Sequence, residues 1–372
     1  MSSIKIGIIG LKCRDHLINA EIPRYLGGIE TQLATLAKGL AGMDCDVTVI
    51  TYDHGQSVHE RAEGVTLLKA HAPDAGLRMF RNFHPRTTGI LDAMRQARAD
   101  IYLQMGAGIE TGQTALGCRL LSRPFVFCLA SDADVAANLY AGPWGLEGKV
   151  YRYGLHRANV IIAQTETQRQ GLQAAIGRVS SIIPMAVRPP AGRSLADVKP
   201  RVLWVGRITP TKRLDWLIEA ARRCPEAAFD IVGTPNQLSG HATRLIEEAR
   251  LLPNVQVHGR ATTSSLANLY AGATVLACTS ELEGFPTTFL EAWSLGLPVV
   301  TTFDPDGVIA CNGIGEVATD LDDFIGKLNR LIGGPLRRDA FAAAARNYYQ
   351  SHHTITDVSR RFRQMFQDAL NL

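Results

Sequence analysis

Two stretches in the second half of the chain carry residue types suited to an anion with hydroxyl groups beside it. The first is Trp204-Val-Gly-Arg-Ile-Thr-Pro-Thr-Lys212. An apolar β-branched run stops at Gly206, and Arg207 follows at once. Lys212 stands at the mouth of the next helical pattern. Arg207 offers a planar fork for phosphate oxygens, and Lys212 a mobile point charge. Alone, the pair reads equally well as two solvated surface charges. The second is Glu281-Leu-Glu-Gly-Phe-Pro-Thr-Thr-Phe-Leu-Glu291. Gly284 permits close approach of the backbone to a ligand. Thr287 is expected to cap the following helix, whose free amides suit an anion. Glu283 precedes that helix and can reach hydroxyls. Glu291 lies about one turn inside it and can accept from a ribose diol. Acidic residues are common near helix starts, so the spacing gains weight from the Gly-Phe-Pro turn and from the basic pair.

The first half offers less. Gly27 and Gly28 in Tyr25-Leu-Gly-Gly-Ile-Glu30 open a helical pattern. Such a turn lets amides face a phosphate, and it also suits an ordinary glycine turn. Gly7-Ile-Ile-Gly10 lacks the third glycine of a dinucleotide fingerprint, which argues against a nicotinamide cofactor. In Phe127-Cys-Leu-Ala-Ser-Asp-Ala-Asp134, a strand runs out into Ser131 and Asp132. The Asp-x-Asp pair has no third ligand nearby, so no metal site is expected. Asp132 is instead a candidate to orient an acceptor hydroxyl or take its proton. Gly76-Leu-Arg-Met-Phe-Arg-Asn-Phe-His-Pro-Arg86 interleaves basic and aromatic residues. It suits anionic lipid or a phosphorylated acceptor, or simply a basic loop with an apolar anchor. The histidines show no ligand spacing, and His352-His353 reads as a solvated terminal pair. No serine-nucleophile elbow or Walker loop occurs.

The elements that must position these residues alternate. In the second half, strands are expected at Val202–Val205, Ala228–Val232, Val255–His258, Thr274–Cys278 and Pro298–Thr301. Helices are expected at Leu214–Arg223, Ala242–Leu251, Ser264–Ala271 and Thr288–Leu295. The first half repeats the rhythm more loosely, from Ile4–Ile9 to Ser181–Ile183. Such alternation means parallel sheets covered on both faces. Met185 to Pro200, rich in proline and small polar residues, reads as a linker. The expected division is residues 1–190, residues 198–350 and a terminal helix in 351–372. In two doubly wound domains, ligands bind where strands finish, so a cleft between the domains is the expected site.

A chain of 372 residues exceeds one ordinary core and suits two. With 46% apolar and 20% charged residues it is a globular chain, not a disordered one. The formal charge of +4 suits anionic small molecules or a membrane surface, and is too weak a signal for nucleic acid. The seven cysteines show no metal or redox spacing and read as buried reduced thiols. The start of the chain does not read as a signal peptide, and no run approaches a membrane span. A cytoplasmic chain is expected, with any membrane contact peripheral, on the inner face.

Together these motifs resemble glycosyltransferase family 4, whose members have the GT-B fold. Val205-Gly-Arg-Ile…Lys212 is similar to the family's Val-Gly-Arg-Leu…Lys segment. Glu283-Gly-Phe-Pro…Phe289-Leu-Glu291 is similar to its Glu-x7-Glu signature. The resemblance implies a retaining, usually metal-independent enzyme that takes its sugar from a nucleotide-diphosphate donor and needs no cofactor. The acceptor would be a glycan, a lipid-linked glycan or a small molecule, bound by the N-terminal domain. The resemblance assigns the donor diphosphate to Arg207 and Lys212, and the ribose to Glu291. It assigns the sugar to Glu283 and the turn Gly284, Phe285, Pro286 and Thr287. Gly259 and Arg260 would lie beside the base, and Gly27 and Gly28 would face the donor. Asp132 and Glu283 are the catalytic candidates. Many relatives carry a histidine where this chain has Ala130-Ser-Asp132. A bacterial subgroup shares Ala-Ser-Asp, an Asp-Pro-Asp-Gly-Val-Ile segment like Asp304 to Ile309, and Gln104-Met-Gly-Ala-Gly…Thr111-Gly. Two rivals remain on this reading: a non-hydrolysing sugar-nucleotide epimerase, and a non-catalytic two-lobed ligand-binding protein.

Overall fold

A computed structural model describes residues 3–57, 59–76, 82–135, 145–191, 199–235 and 240–371. The chain divides into two compact units, Met1–Val187 with Thr354–Leu372, and Arg188–His353.

The first unit is built on β1 (Lys5–Ile9), β2 (Asp46–Thr51), β3 (His59–Ala62), β4 (Val65–Lys69), β5 (Ile101–Met105), β6 (Phe125–Cys128), β7 (Val160–Ala163) and β8 (Ser181–Ile182). They form one sheet in the order β3-β4-β2-β1-β5-β6-β7-β8. All neighbours run parallel except β3 against β4. β3 escapes a reading from pattern because its sequence, His-Glu-Arg-Ala, is that of a half-exposed edge. Both faces are covered, as a parallel sheet requires. On one side Ile6 and Ile8 pack with Leu33, Leu36 and Leu40 of the helix Gly28–Ala41. On the other Tyr102, Phe125 and Phe127 pack with Ile90 and Met94 of the helix Thr88–Ala97. Gly7 is explained by this packing: a Cβ there would overlap the Tyr102 ring. The last helix, Ile355–Leu370, belongs to this unit and buries Val358, Phe362 and Phe366 in the first cluster. Met185 and Ala186, within the stretch read as linker, are also core.

The second unit contains β9 (Arg201–Val205), β10 (Ala228–Val232), β11 (Val255–Gly259), β12 (Val275–Cys278), β13 (Val299–Thr301) and β14 (Gly315–Val317). Their order is β11-β10-β9-β12-β13-β14, all parallel. Val202 and Trp204 join a core with Leu214, Leu217 and Ile218 of the helix Leu214–Arg223 and Phe324 and Leu328 of the helix Leu321–Gly333. The strand order reverses at β9 and β12. Loops leaving adjacent strands at such a point diverge and leave a crevice. Those two loops carry the residues singled out above. In the first unit the corresponding reversal lies at β1 and β5.

Candidate active site

The loop after β9 is fixed by its neighbours before any ligand is considered. Gly206 N–H donates to Val232 O at 3.0 Å, and Ile208 N–H to Thr234 O at 3.1 Å. Gly233 sits at φ +152, and a Cβ there would collide with the Gly206 carbonyl. Only glycine meets both demands. The loop then turns through Pro210–Lys212 and enters the helix at Arg213, whose φ is +47.

The loop after β12 is stitched to it. Thr279 Oγ1 accepts from Trp204 Nε1 at 3.2 Å and donates to Lys212 O at 2.6 Å. Glu281 N–H donates to Thr211 O at 2.9 Å. Lys212 Nζ pairs with the Glu283 carboxylate, while its neighbour Arg213 pairs with Glu281 at 3.3 Å. Arg207 is exposed, and its side chain has no ion-pair or hydrogen-bond partner among the described residues. Gly284, Phe285 and Pro286 are buried. The helix beyond begins at Thr287, and its N-cap is Pro286, with no side-chain cap. Thr287 therefore does not cap it, contrary to expectation. It occupies the first helical position, so its hydroxyl is not aimed back at the first-turn amides. Phe289 N–H donates to Pro286 O at 3.1 Å, which leaves the Thr287 and Thr288 amides for water or a ligand.

Glu291 accepts a 2.6 Å hydrogen bond from Tyr270 Oη, on the helix Thr263–Gly272. Burial pushes the Glu291 carboxyl up to about 7, against the lowering effect of that hydroxyl. Tyr270 is itself buried and is pushed well above the ordinary phenol range, first by desolvation and then by Glu291. Tyr270 was not read from the sequence, because a tyrosine in an amphipathic helix carries no such signal. Gly259, at φ +63, ends β11, and its carbonyl accepts from Gly233 N–H at 2.8 Å. Arg260 beside it is exposed. These two lie at the sheet edge, two strands away from β9.

Phe285 rests against the ring of Trp293 at 6.1 Å and that of His353 at 5.1 Å. His353 is 1% exposed. The expectation of a solvated His352-His353 pair thus fails for His353. It ends the helix Pro335–His352, where packing against Phe285 and Tyr348 buries the ring. The cysteine expectation fails at Cys311, which is exposed, while the other six are buried and all are free.

In the first unit, Gly27 is the extended N-cap of the helix Gly28–Ala41, and its carbonyl accepts from Thr31 N–H at 3.3 Å. Ser131 and Asp132 follow β6 closely, and Asp132–Val135 makes a single tight turn. The two aspartates there do different things. Asp134 is buried and accepts from the Ala130 and Ser131 amides at 2.7 and 3.2 Å. Asp132 is partly exposed and accepts from Gln168 Nε2 at 3.2 Å. Among the described residues no group of three or more His, Cys, Asp or Glu is placed to hold a metal ion. Nor is any helix long and apolar enough to cross a membrane. Of the basic-aromatic stretch, residues 77–81 lie outside the described residues. Phe83 within it is 73% exposed.

Residues 27–191 match the family model described as glycosyl transferase 4-like domain, and residues 199–334 match the one described as glycosyl transferases group 1. With two Rossmann-like units, these matches make the chain a glycosyltransferase of the GT-B fold. It is 30% identical over 155 residues to the GtfA subunit of the UDP-N-acetylglucosamine–peptide N-acetylglucosaminyltransferase of Streptococcus pneumoniae. That alignment covers 39% of this chain and 30% of the relative, so the chain spans about a third of that relative's length. Its fold is similar to the sucrose-phosphate synthase of Thermosynechococcus elongatus, with a TM-score of 0.78 and 17% identity over 98% of both chains. It is also similar to HepE of Anabaena, solved with UDP and glucose, with a TM-score of 0.75 and 16% identity over 98% of this chain and 99% of that one.

Proposed function

We propose that this chain moves a sugar from a nucleotide-diphosphate donor to a glycan, glycolipid or small-molecule acceptor, with retention at the anomeric carbon, in polysaccharide or glycoconjugate biosynthesis. The observation that carries this reading is the junction of the loops after β9 and β12. There Lys212 pairs with Glu283, Arg207 stands unpaired among the described residues, and a helix start lacks a side-chain cap. A diphosphate supplies the anion these groups are short of. On arrival it draws Lys212 away and frees Glu283 to accept from sugar hydroxyls. Arg207, Lys212 and the amides near Gly284, Phe285 and Thr287 then stabilise the charge that grows on the departing phosphate. Glu291 accepts from the ribose, and Gly259 and Arg260 lie toward the base. Gly27 and Gly28 offer helix-start amides to the donor, and Asp132 orients the acceptor hydroxyl through its side-chain oxygens. The carbon–oxygen bond to phosphate breaks with its electron pair on phosphate, and the acceptor oxygen bonds to the same carbon from the same face as its proton passes to a departing phosphate oxygen. No cofactor and no metal enter this scheme. The exposed Phe83 supports a peripheral contact with the inner membrane face, where a lipid-linked acceptor would lie.

Thermal-shift screening against UDP-glucose, UDP-N-acetylglucosamine, UDP-galactose and GDP-mannose tests the donor reading, because selective stabilisation names the donor. The Arg207→Ala, Lys212→Ala double variant should lose turnover by about a thousandfold or more. Normal turnover in that variant would end the phosphate assignment.

A further inference from the structure

Gln168 sits at the third position of the helix Glu166–Ile176, and Thr165 is the N-cap. Thr165 Oγ1 accepts from Gln168 N–H at 3.1 Å, and Gln168 Oε1 accepts from Gln164 N–H at 2.9 Å. This is a capping box shifted by one residue at its return arm. A capping box needs only an acceptor oxygen at this position, and glutamate meets that need as well as glutamine. The second arm of the amide explains the choice. Its Nε2 donates to Asp132 Oδ1 at 3.2 Å, across 36 residues of sequence. A glutamate would press a carboxylate against a carboxylate. Gln168 is wholly buried, so its two arms are locked in place. Gln164 extends the brace: its Nε2 donates to Leu129 O at 2.9 Å, on the segment that leads from β6 to Asp132.

We infer that Gln168 is a positioning residue for Asp132: it sets the orientation of that carboxylate for the acceptor hydroxyl. The inference rests on the role proposed above for Asp132. The other charged groups on the turn and on the packed helix are Asp134, Glu166 and Arg169. Asp134 is engaged by two backbone amides, and Glu166 and Arg169 pair with each other at 2.8 Å. Gln168 Nε2 is a neutral donor that meets Asp132 at Oδ1.

Gln168→Glu is the discriminating variant, because it keeps the acceptor oxygen of the cap and changes only the arm facing Asp132. The cap survives, but the new carboxyl is wholly buried beside Asp132, so Tm should fall while the protein still folds. The carboxyl 13C titration of Asp132 should move up by about one unit or more through like-charge coupling. The acid limb of the kcat profile should follow, measured with the donor selected by thermal shift, while KM for that donor holds. An unmoved titration and acid limb with a folded protein would overturn the inference. Should Gln168→Glu fail to fold, Gln168→Met in the parent and in an Asp132→Asn background supplies the second test. A drop in kcat in the parent that vanishes in the Asp132→Asn background supports positioning. Equal drops in both overturn it. If Asp132→Asn alone keeps full kcat, the role of Asp132 falls, while the 13C titration still reports on the Gln168 contact.

Discussion

Glu291 joins two demands that pull against each other. Burial favours the neutral carboxyl, while a ribose diol is best met by the ionised one. With the group raised to about 7, its charge changes near neutrality. Donor KM should therefore fall as pH rises through about 7, and Glu291→Gln should flatten that dependence. Stability has the opposite sign. A raised carboxyl contributes stability that is present below its unfolded value near 4.5 and lost as pH rises through 7. Urea titrations at several pH values should show the parent losing stability across that window more steeply than Glu291→Gln. A parent and variant with parallel pH profiles would show that Glu291 does not titrate there. Lys212 and Glu283 form the complementary case, a pair placed so that each can be released to a different part of one ligand.

The strand-end loops owe their shape to backbone contacts as much as to side chains. Gly233 has no room for a Cβ and holds φ +152, so Gly233→Ala should cost at least about 2 kcal/mol in chemical denaturation. The donor-induced thermal shift should shrink with it, because Gly206 and Arg207 lie on the backbone it touches. Gly240, at the start of the helix Gly240–Arg250, has open space at its Cβ position. Gly240→Ala should be neutral or slightly stabilising, which separates a glycine needed for close approach from one that is not. Equal effects at both positions would refute the packing explanation. The strand-helix alternation and most boundaries were legible from period and turn residues. β14 was not, since Gly-Glu-Val is too short to show a period. Its inclusion follows from pairing with β13, through Val299 and Gly315 among others.

The whole molecule consists of two units, each with its own sheet and core. The final helix returns to the first unit, where Phe362 and Phe366 are fully buried. Phe362→Ala should therefore destabilise the first unit by about 3–5 kcal/mol. Hydrogen exchange should locate the loss in β1, β2 and the helix Gly28–Ala41, and leave β9 to β14 protected. Faster exchange in β9 to β14 as the main effect would contradict the assignment of that helix. The same division accounts for the match of separate family models to residues 27–191 and 199–334.

By itself the sequence determined the two-domain α/β class, the positions of the loops that carry Arg207, Lys212 and Glu283, and the helix that carries Glu291. Those features are written in local period, glycine placement and short-range spacing, where each residue's neighbours in sequence are also its neighbours in space. Tertiary structure alone decided that Lys212 meets Glu283 across 71 residues, that Tyr270 meets Glu291 and that Gln168 meets Asp132. It also buried His353 against Phe285. These pairings depend on strand order and helix packing, which set which side chains share a space, and no local pattern encodes that.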